Sequence, residues 1–330
     1  MIDTRLELAL GEGKLVLPSD GRIAVFGPPQ NARLDALPKE RCEIIEGFKP
    51  ALDAWQARGF SCSVLAKGRF AGAVLSLPRS KSLARVMLAE AAGRTDGPLV
   101  IDGQKTDGID SILKELRKRV DVSGPLSKAH GKLFWCVNPD ADVLEDWRHG
   151  PERTPGGFWT APGVFSESAI DPASAMLAAV LPDDLGRTVA DLGAGWGLLS
   201  AHVLTREDVV SVHLVEAQYI ALECARRNVG DPRAVFHWED ATLWTPEEPV
   251  DTVVMNPPFH SGRAADPALG QAFVRAAARV LKPQGGLWMV ANRHLPYEHV
   301  LTDRFAKVNE IGGDGGFKVL HASRPKRVAG

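Results

Sequence analysis

Cysteine is scarce in this 330-residue chain. Cys42, Cys62, Cys136 and Cys224 are scattered, and no Cys-x-x-Cys pair occurs. That spacing excludes a disulfide framework or a cysteine zinc site as the organising feature. His-Glu-x-x-His is also missing, and His294 and His299 stand five apart, a spacing that does not share a helical face. No metal is expected. No apolar run approaches the roughly 18 residues that span a bilayer. The N-terminal MIDTRLELALGEGKLVLP carries acids where a signal peptide would be basic. The expectation is a cytoplasmic protein with no membrane association.

Charge of one sign is lacking too. Lys and Arg number 39 against 41 Asp and Glu, a net charge of −2. Nothing marks a polybasic nucleic-acid binder, so a nucleic-acid partner would have to be met by local patches. The first 150 residues hold 22 basic and 20 acidic side chains, and the remainder 17 and 21. The length exceeds a usual single core and predicts two domains. Residues 138–162 (NPDADVLEDWRHGPERTPGGFWTAP) are rich in Pro, Gly and charge and cannot pack continuously. The boundary is expected there, giving domains over 1–145 and 155–330.

The second half alternates strand and helix patterns. GRTVADLGAGWG (186–197) is a short apolar run ending in Asp191 and a glycine-rich loop. A helical stretch follows, then the β-branched strand VVSVHLVEA (209–217) ending at Glu216. QYIALECARRNVG reads as a helix closed by Gly230, AVFHWED (234–240) as a third strand and DTVVMN (251–256) as a fourth. PALGQAFVRAAARVLKPQGG reads as a helix stopped by Pro283, followed by the strands LWMVAN and FKVLHAS. This order predicts a parallel, doubly wound α/β sheet. The first half repeats the rhythm: strands in GRIAVFGPP, CEIIEGF, CSVLA, GAVLSLP, GPLVIDGQ and KLFWCV, and helices in KPALDAWQARG, SLARVMLAEAA and SILKELRKR. A second α/β domain on a similar plan is inferred. The likeness is one of rhythm and not of residues.

Four strand ends carry polar groups in order. Asp191-Leu-Gly193-Ala-Gly195-Trp-Gly197 lets backbone approach a ligand, but its Gly-x-Gly-x-Gly spacing is not the dinucleotide fingerprint. An acid two residues before the first glycine suits a cationic or neutral ligand. A tight structural turn is the plain alternative, and Trp196 is expected to point away from a ligand. Glu216 falls where an acid accepts from ribose hydroxyls, although a solvated acid is an equal reading of that residue alone. Glu239-Asp240 ends the third strand, where a carboxylate can meet an adenine amine. Asn256-Pro257-Pro258-Phe259 ends the fourth. An exocyclic amine on a planar group is a poor nucleophile because its lone pair is delocalised. The Asn256 side-chain carbonyl and the Pro257 carbonyl are two acceptors that can hold such an amine with its lone pair aimed at an electrophile. The Pro-Pro step stiffens both, and Phe259 offers a ring for a flipped base. The residues alone permit any planar amine.

This constellation resembles the class I S-adenosylmethionine-dependent methyltransferases, in their amino-methylating branch. Phe259, TAPGVFSESAIDPASAMLAAVLP (160–182), ANRHLPYEHVL (291–301) and GGFKVLHA (315–322) resemble the C-type ribosomal RNA guanine-N2 methyltransferases of the small subunit, with their large-subunit relatives close behind. LSLPRSKSLARVMLAEAA and VIDGQKTDGIDSIL look like that family's degenerate N-terminal domain. The resemblance implies two Rossmann-like domains, the first degenerate and without cofactor, the second a class I methyltransferase fold. It implies S-adenosylmethionine as cofactor. Asp191, Gly193 and Gly195 would hold its methionine end, Glu216 its ribose and Asp240 its adenine, with Gly163 and Phe165 closing over it. Asn256 to Phe259 would hold the target amine and Asn292 would border the substrate. Ribosomal RNA or a ribosomal subunit is the implied partner of a monomeric enzyme. Arg79 and Lys81, with Arg85 and the run Lys114 to Arg119, are candidate phosphate contacts in the first half, where a solvated helix face is the alternative for the run. Two other readings stay open. One is methylation of another planar amine, such as adenine N6, a protein glutamine or a small molecule. The other is an RNA-binding protein without catalysis.

Overall fold

Val253, Val254 and Met255 are apolar at consecutive positions, the pattern of a parallel strand covered on both faces. The computed structural model describes residues 2–137, 141–258, 260–261, 264–265 and 267–326. The chain divides into two compact units, Met1–Pro151 and Glu152–Gly330.

The first unit contains strands β1 (Ile23–Phe26), β2 (Cys42–Ile45), β3 (Ser61–Ser63), β4 (Gly72–Ser76), β5 (Pro98–Gln104), β6 (Ser123–Lys128) and β7 (Gly131–Val137). Its helices are α1 (Ile2–Gly11), α2 (Lys49–Ala57), α3 (Lys81–Arg94) and α4 (Ile109–Leu116). The strands lie in the order β3-β2-β1-β4-β5-β7-β6. The first five are parallel, and β7 runs antiparallel to β5 and β6.

The second unit opens with a two-stranded ribbon, β8 (Glu152–Arg153) and β9 (Trp159–Thr160), and helix α5 (Pro172–Val180). Strand β10 (Thr188–Leu192), helix α6 (Leu198–Val203), strand β11 (Ser211–Glu216), helix α7 (Tyr219–Asn228), and strands β12 (Ala234–Trp238) and β13 (Val250–Met255) follow. A short ribbon, β14 (His260–Ser261) with β15 (Ala264–Ala265), precedes α8 (Pro267–Val280). The chain ends with β16 (Leu281–Asn292), α9 (Glu298–Arg304), β17 (Phe305–Gly313) and β18 (Phe317–Pro325). The sheet order is β12-β11-β10-β13-β16-β18-β17. Strand for strand, this repeats the first unit, including the antiparallel pair at one edge. The two similar α/β plans expected from the sequence are therefore present.

Side-chain alternation divides each central strand between two cores. Val253 and Met255 pack in one cluster with Val274, Ala277 and Val280 of α8. Val254 packs on the opposite face with Leu177 of α5, Leu199 of α6 and Leu222 of α7. In the first unit Ala24 and Phe26 join Leu88 of α3 and Ile112 of α4, while Ile23 and Val25 join Leu6 of α1.

Two boundaries differ from expectation. Helix α8 ends at Val280, and Pro283 lies inside β16, where the β13 pairing shifts register. A proline cannot donate to a ladder, and the irregularity accommodates it. Helix α4 ends at Leu116, so Arg117–Arg119 fall past its last turn. The edge strands β6 and β17 had no apolar alternation to reveal them, because most of their residues face solvent. No helix among the described residues is long and apolar enough to cross a membrane.

Helix α1 is pinned to its sheet by a buried ion pair. Arg5 is fully buried, and its Nε and Nη2 donate to the Asp102 carboxylate of β5 at 2.5 and 2.7 Å. Its Nη1 donates to the Lys128 carbonyl at 2.8 Å. Removing one partner leaves a buried charge uncompensated. Arg5→Met should therefore lower the unfolding free energy by about 3–5 kcal/mol in guanidinium titrations. Arg5→Met combined with Asp102→Leu should recover most of that loss.

Candidate active site

The carboxyl end of β10 sets the first group. Asp191 faces the α6 side of the sheet, is almost wholly buried, and accepts from Ser200 Oγ of α6 at 2.7 Å. Burial pushes its carboxyl from the ordinary 3.8 up to about 7, and the nearby Glu216 charge acts in the same direction. Beyond it the chain turns through Gly193 (φ +76°) and Gly195 (φ +56°), left-handed conformations that side chains disfavour. The Gly193 and Ala194 amides donate to the Val215 carbonyl of β11, which locks the loop to the neighbouring strand. Glu216 completes the lock. Its Oε2 accepts from the Gly195 amide at 2.8 Å and its Oε1 from the Gln218 amide at 2.7 Å. Burial raises this carboxyl as well.

Asp240, just past β12, accepts from the Thr242 amide and hydroxyl through Oδ1 at 2.8 and 2.7 Å. Its Oδ2 takes no hydrogen bond from a described residue. The segment carrying Gly163 and Phe165 is tied to the glycine loop. Asn228 Nδ2 donates to the Trp159 and Trp196 carbonyls at 2.8 Å each, and Trp196 Nε1 donates to the Phe165 carbonyl at 3.2 Å. The Gly163 amide donates to Glu167 at 2.6 Å. The Trp196 indole is buried among Ala161, Val164, Ala221 and Cys224, although it also contributes to the cavity wall. The Phe165 side chain is exposed.

Asn256 follows β13. Its Nδ2 donates to Asp171 Oδ2 at 3.0 Å and to Ser174 Oγ at 2.9 Å, so both amide hydrogens are used. Its Oδ1 accepts from no described residue. Pro257 is buried and Pro258 exposed, while Phe259 lies outside the described residues. One small cavity brings together Phe165, Asp191, Gly193, Gly195 and Asn256, and with them Asp171 and Ser174. The last two were not among the expected residues. An Asp-Pro-x-Ser sequence is a helix-start signal, with Asp at the N-cap and Pro at the first helical position, and would have located them.

Other expected residues lie apart from that cavity. Asn292 ends β16 and accepts from the His294 amide through Oδ1 at 3.1 Å, forming a turn. In the first unit Lys81 and Arg85 both pair with Glu115, at 2.5 and 2.8 Å. Arg119 pairs with Asp146. Arg79 is exposed and has no ion-pair partner among the described residues. No group of three or more His, Cys, Asp and Glu among the described residues is placed to hold a metal ion.

The first unit offers the same edge with different residues. The Gly27 amide donates to the Ile45 carbonyl as Gly193 does to Val215, and Glu46 accepts from the Phe48 amide as Glu216 does from Gln218. On that registration Val25 stands where Asp191 does, and Ser76 where Asn256 does. The loop after Gly27 begins Pro28-Pro29, which has no N–H to offer. The acid, the amide donors and the amide carbonyl are all replaced.

A seven-stranded sheet of this order, with acids and an Asn-Pro-Pro step at successive carboxyl ends, defines a methyltransferase of the Rossmann-like class. The comparisons make the family explicit. The methyltransferase small domain matches residues 156–321, and the chain belongs to that family. It is similar to the ribosomal RNA small subunit methyltransferase C of Hahella chejuensis, at 30% identity over 269 residues and 76% of each chain. The counterpart in Shewanella loihica is 32% identical over 263 residues, again 76% of each. The ribosomal RNA large subunit methyltransferase G of Shewanella amazonensis is 28% identical over 334 residues, covering 96% of this chain and 82% of that one. Among solved structures, the 16S rRNA N2 methyltransferase of T. thermophilus in complex with AdoMet and guanosine superimposes with a TM-score of 0.80 at 26% identity. That match covers 98% of this chain and 91% of the other.

The Asp191 environment predicts a pH signature. Its folded pKa of about 7 lies above the ordinary 3.8, so the folded state holds an extra proton between these values. Its contribution to stability is complete below about pH 4 and is lost as pH rises through about 7. Denaturation at a series of pH values should show this decline, and Asp191→Asn should flatten it.

Proposed function

We propose that the second unit transfers the methyl group of S-adenosylmethionine to the exocyclic N2 amine of a guanosine in ribosomal RNA, of the small-subunit type. The observation that carries this reading is the Asn256 carboxamide. Both of its hydrogens are taken, and it shares a cavity with Asp191 and the glycine loop. The residues fit the cofactor. Asp191 is a buried acid held by Ser200, suited to the cationic methionine end. Glu216 is held by backbone amides, and lone-pair sites remain on its carboxylate for ribose hydroxyls. Asp240 has Oδ2 for the adenine amine, and Gly163 and Phe165 stand on the segment tied to the loop.

S-adenosylmethionine, when bound, supplies an electrophilic methyl on a sulfonium. The protein supplies position. Asn256 Oδ1 and the Pro257 carbonyl accept the two amine hydrogens and turn the nitrogen lone pair toward the methyl. Pro258 stiffens the turn, and stacking on the base is the role assigned to Phe259 from its residue type alone. The amine becomes acidic once alkylated, so no general base is assigned. Asn292 borders the substrate side. The first unit, without the acid and donors of the second, serves stability or RNA binding, with Arg79 an exposed cation that has no ion-pair partner among the described residues and Lys81 sharing Glu115. The enzyme acts in the cytoplasm as a monomer.

Mass mapping of ribosomal RNA nucleosides should show loss of one N2-methylguanosine when the gene is deleted. Loss of an N6-methyladenosine, or no change, would overturn the substrate assignment. With purified protein, Asp191→Ala should abolish cofactor binding in calorimetry while the fold persists. Asn256→Ala should bind cofactor normally and transfer methyl at least about 100-fold more slowly.

A further inference from the structure

An asparagine side chain has two ends of nearly equal shape and opposite hydrogen-bonding character. A clamp that must accept from an amine works only with the oxygen outward, and nothing within Asn256 selects that orientation. We propose that Asp171 and Ser174, in the first turn of α5, are positioning residues that aim Asn256 Oδ1 at the target amine. The proposal rests on the reading of Asn256 as the amine clamp. Asp171 Oδ2 accepts from Asn256 Nδ2 at 3.0 Å, and Ser174 Oγ accepts from the same nitrogen at 2.9 Å. An ionised carboxylate can only accept, so the reversed amide would set oxygen against oxygen. The same Oδ2 also accepts from the Ser174 amide at 2.7 Å, as the N-cap of α5. One oxygen thus starts the helix and orients the clamp, which couples the lead-in segment to the strand end 85 residues later. Ser174 is buried, and its hydroxyl, which can donate as well as accept, follows the direction that the Asp171 carboxylate sets. Both residues line the cavity that holds Asp191 and Gly193.

A helix cap and an orienting contact separate by substitution. Asp171→Ser keeps a good cap, because serine caps as well as aspartate, but its shorter side chain withdraws the acceptor from Asn256. Asp171→Asn keeps an oxygen in the same place. Ser174→Ala leaves its backbone amide for the cap and removes the second acceptor. The assay uses the full chain, ribosomal subunits from a strain lacking the gene, and radiolabelled S-adenosylmethionine, with cofactor Kd measured by calorimetry. Asp171→Ser should lower kcat by about tenfold to a hundredfold, with Tm and cofactor Kd unchanged. Asp171→Asn should restore most of the rate, and Ser174→Ala should also lower kcat. Wild-type kcat in both Asp171→Ser and Ser174→Ala, with Asn256→Ala inactive, overturns the positioning role alone. A loss seen only in cofactor Kd overturns it as well. Normal transfer by Asn256→Ala removes the clamp reading and this proposal with it.

Discussion

A parallel strand covered on both faces has nowhere to put a polar side chain except its ends. In the second unit Val253 and Met255 enter one apolar cluster and Val254 the other, and Ala190 and Val189 divide in the same way. Burying a polar group along these strands would cost its hydration without a partner. The chemistry is therefore driven to one edge. Because β10, β11, β12 and β13 are parallel, their carboxyl ends fall on the same edge, and Asp191, Glu216, Asp240 and Asn256 come to it from points across 66 residues of sequence. Asp191 is the extreme case. Burial drives its carboxyl far above its ordinary pKa, against the opposing pull of the Ser200 hydroxyl that donates to it.

The two units show that this edge and the fold are separable. Their sheets have one strand order, and Glu46 even keeps the backbone contact that Glu216 makes. Yet Val25 and Ser76 replace the acid and the amide, and prolines replace the amide-bearing glycine loop. Topology supplies a place for a ligand, and the few residues at the strand ends decide whether anything there can bind or react. In the first unit the buried Arg5–Asp102 pair joins α1 to β5 near that edge instead.

Most of the strand and helix pattern was legible because buried strands and amphipathic helices carry strong periodicity. GRIAVFG, CEIIEG and TVVMN all became central strands. The edge strands β6 and β17 were not legible, since a solvated edge needs no apolar alternation. That Asp191, Gly193, Gly195 and Asn256 would meet was legible, because each stands at a strand end beside glycine or proline, and they line one cavity. Asp171 and Ser174 could not be named as partners of Asn256. They belong to a helix start more than 80 residues earlier, and a cap signal says nothing of what else its oxygen touches.

The sequence by itself determined the class of fold, the order of polar strand ends and the amide-Pro-Pro step, because those follow from local patterns of burial and turn chemistry. Only the tertiary structure decided which way the Asn256 amide faces, that Lys81 and Arg85 share Glu115, and that Trp196 ties the glycine loop to the Phe165 segment. Each of these is a contact between groups distant in sequence. Hydrogen-bond direction and charge compensation depend on which partner is within about 3 Å, and no local pattern carries that distance.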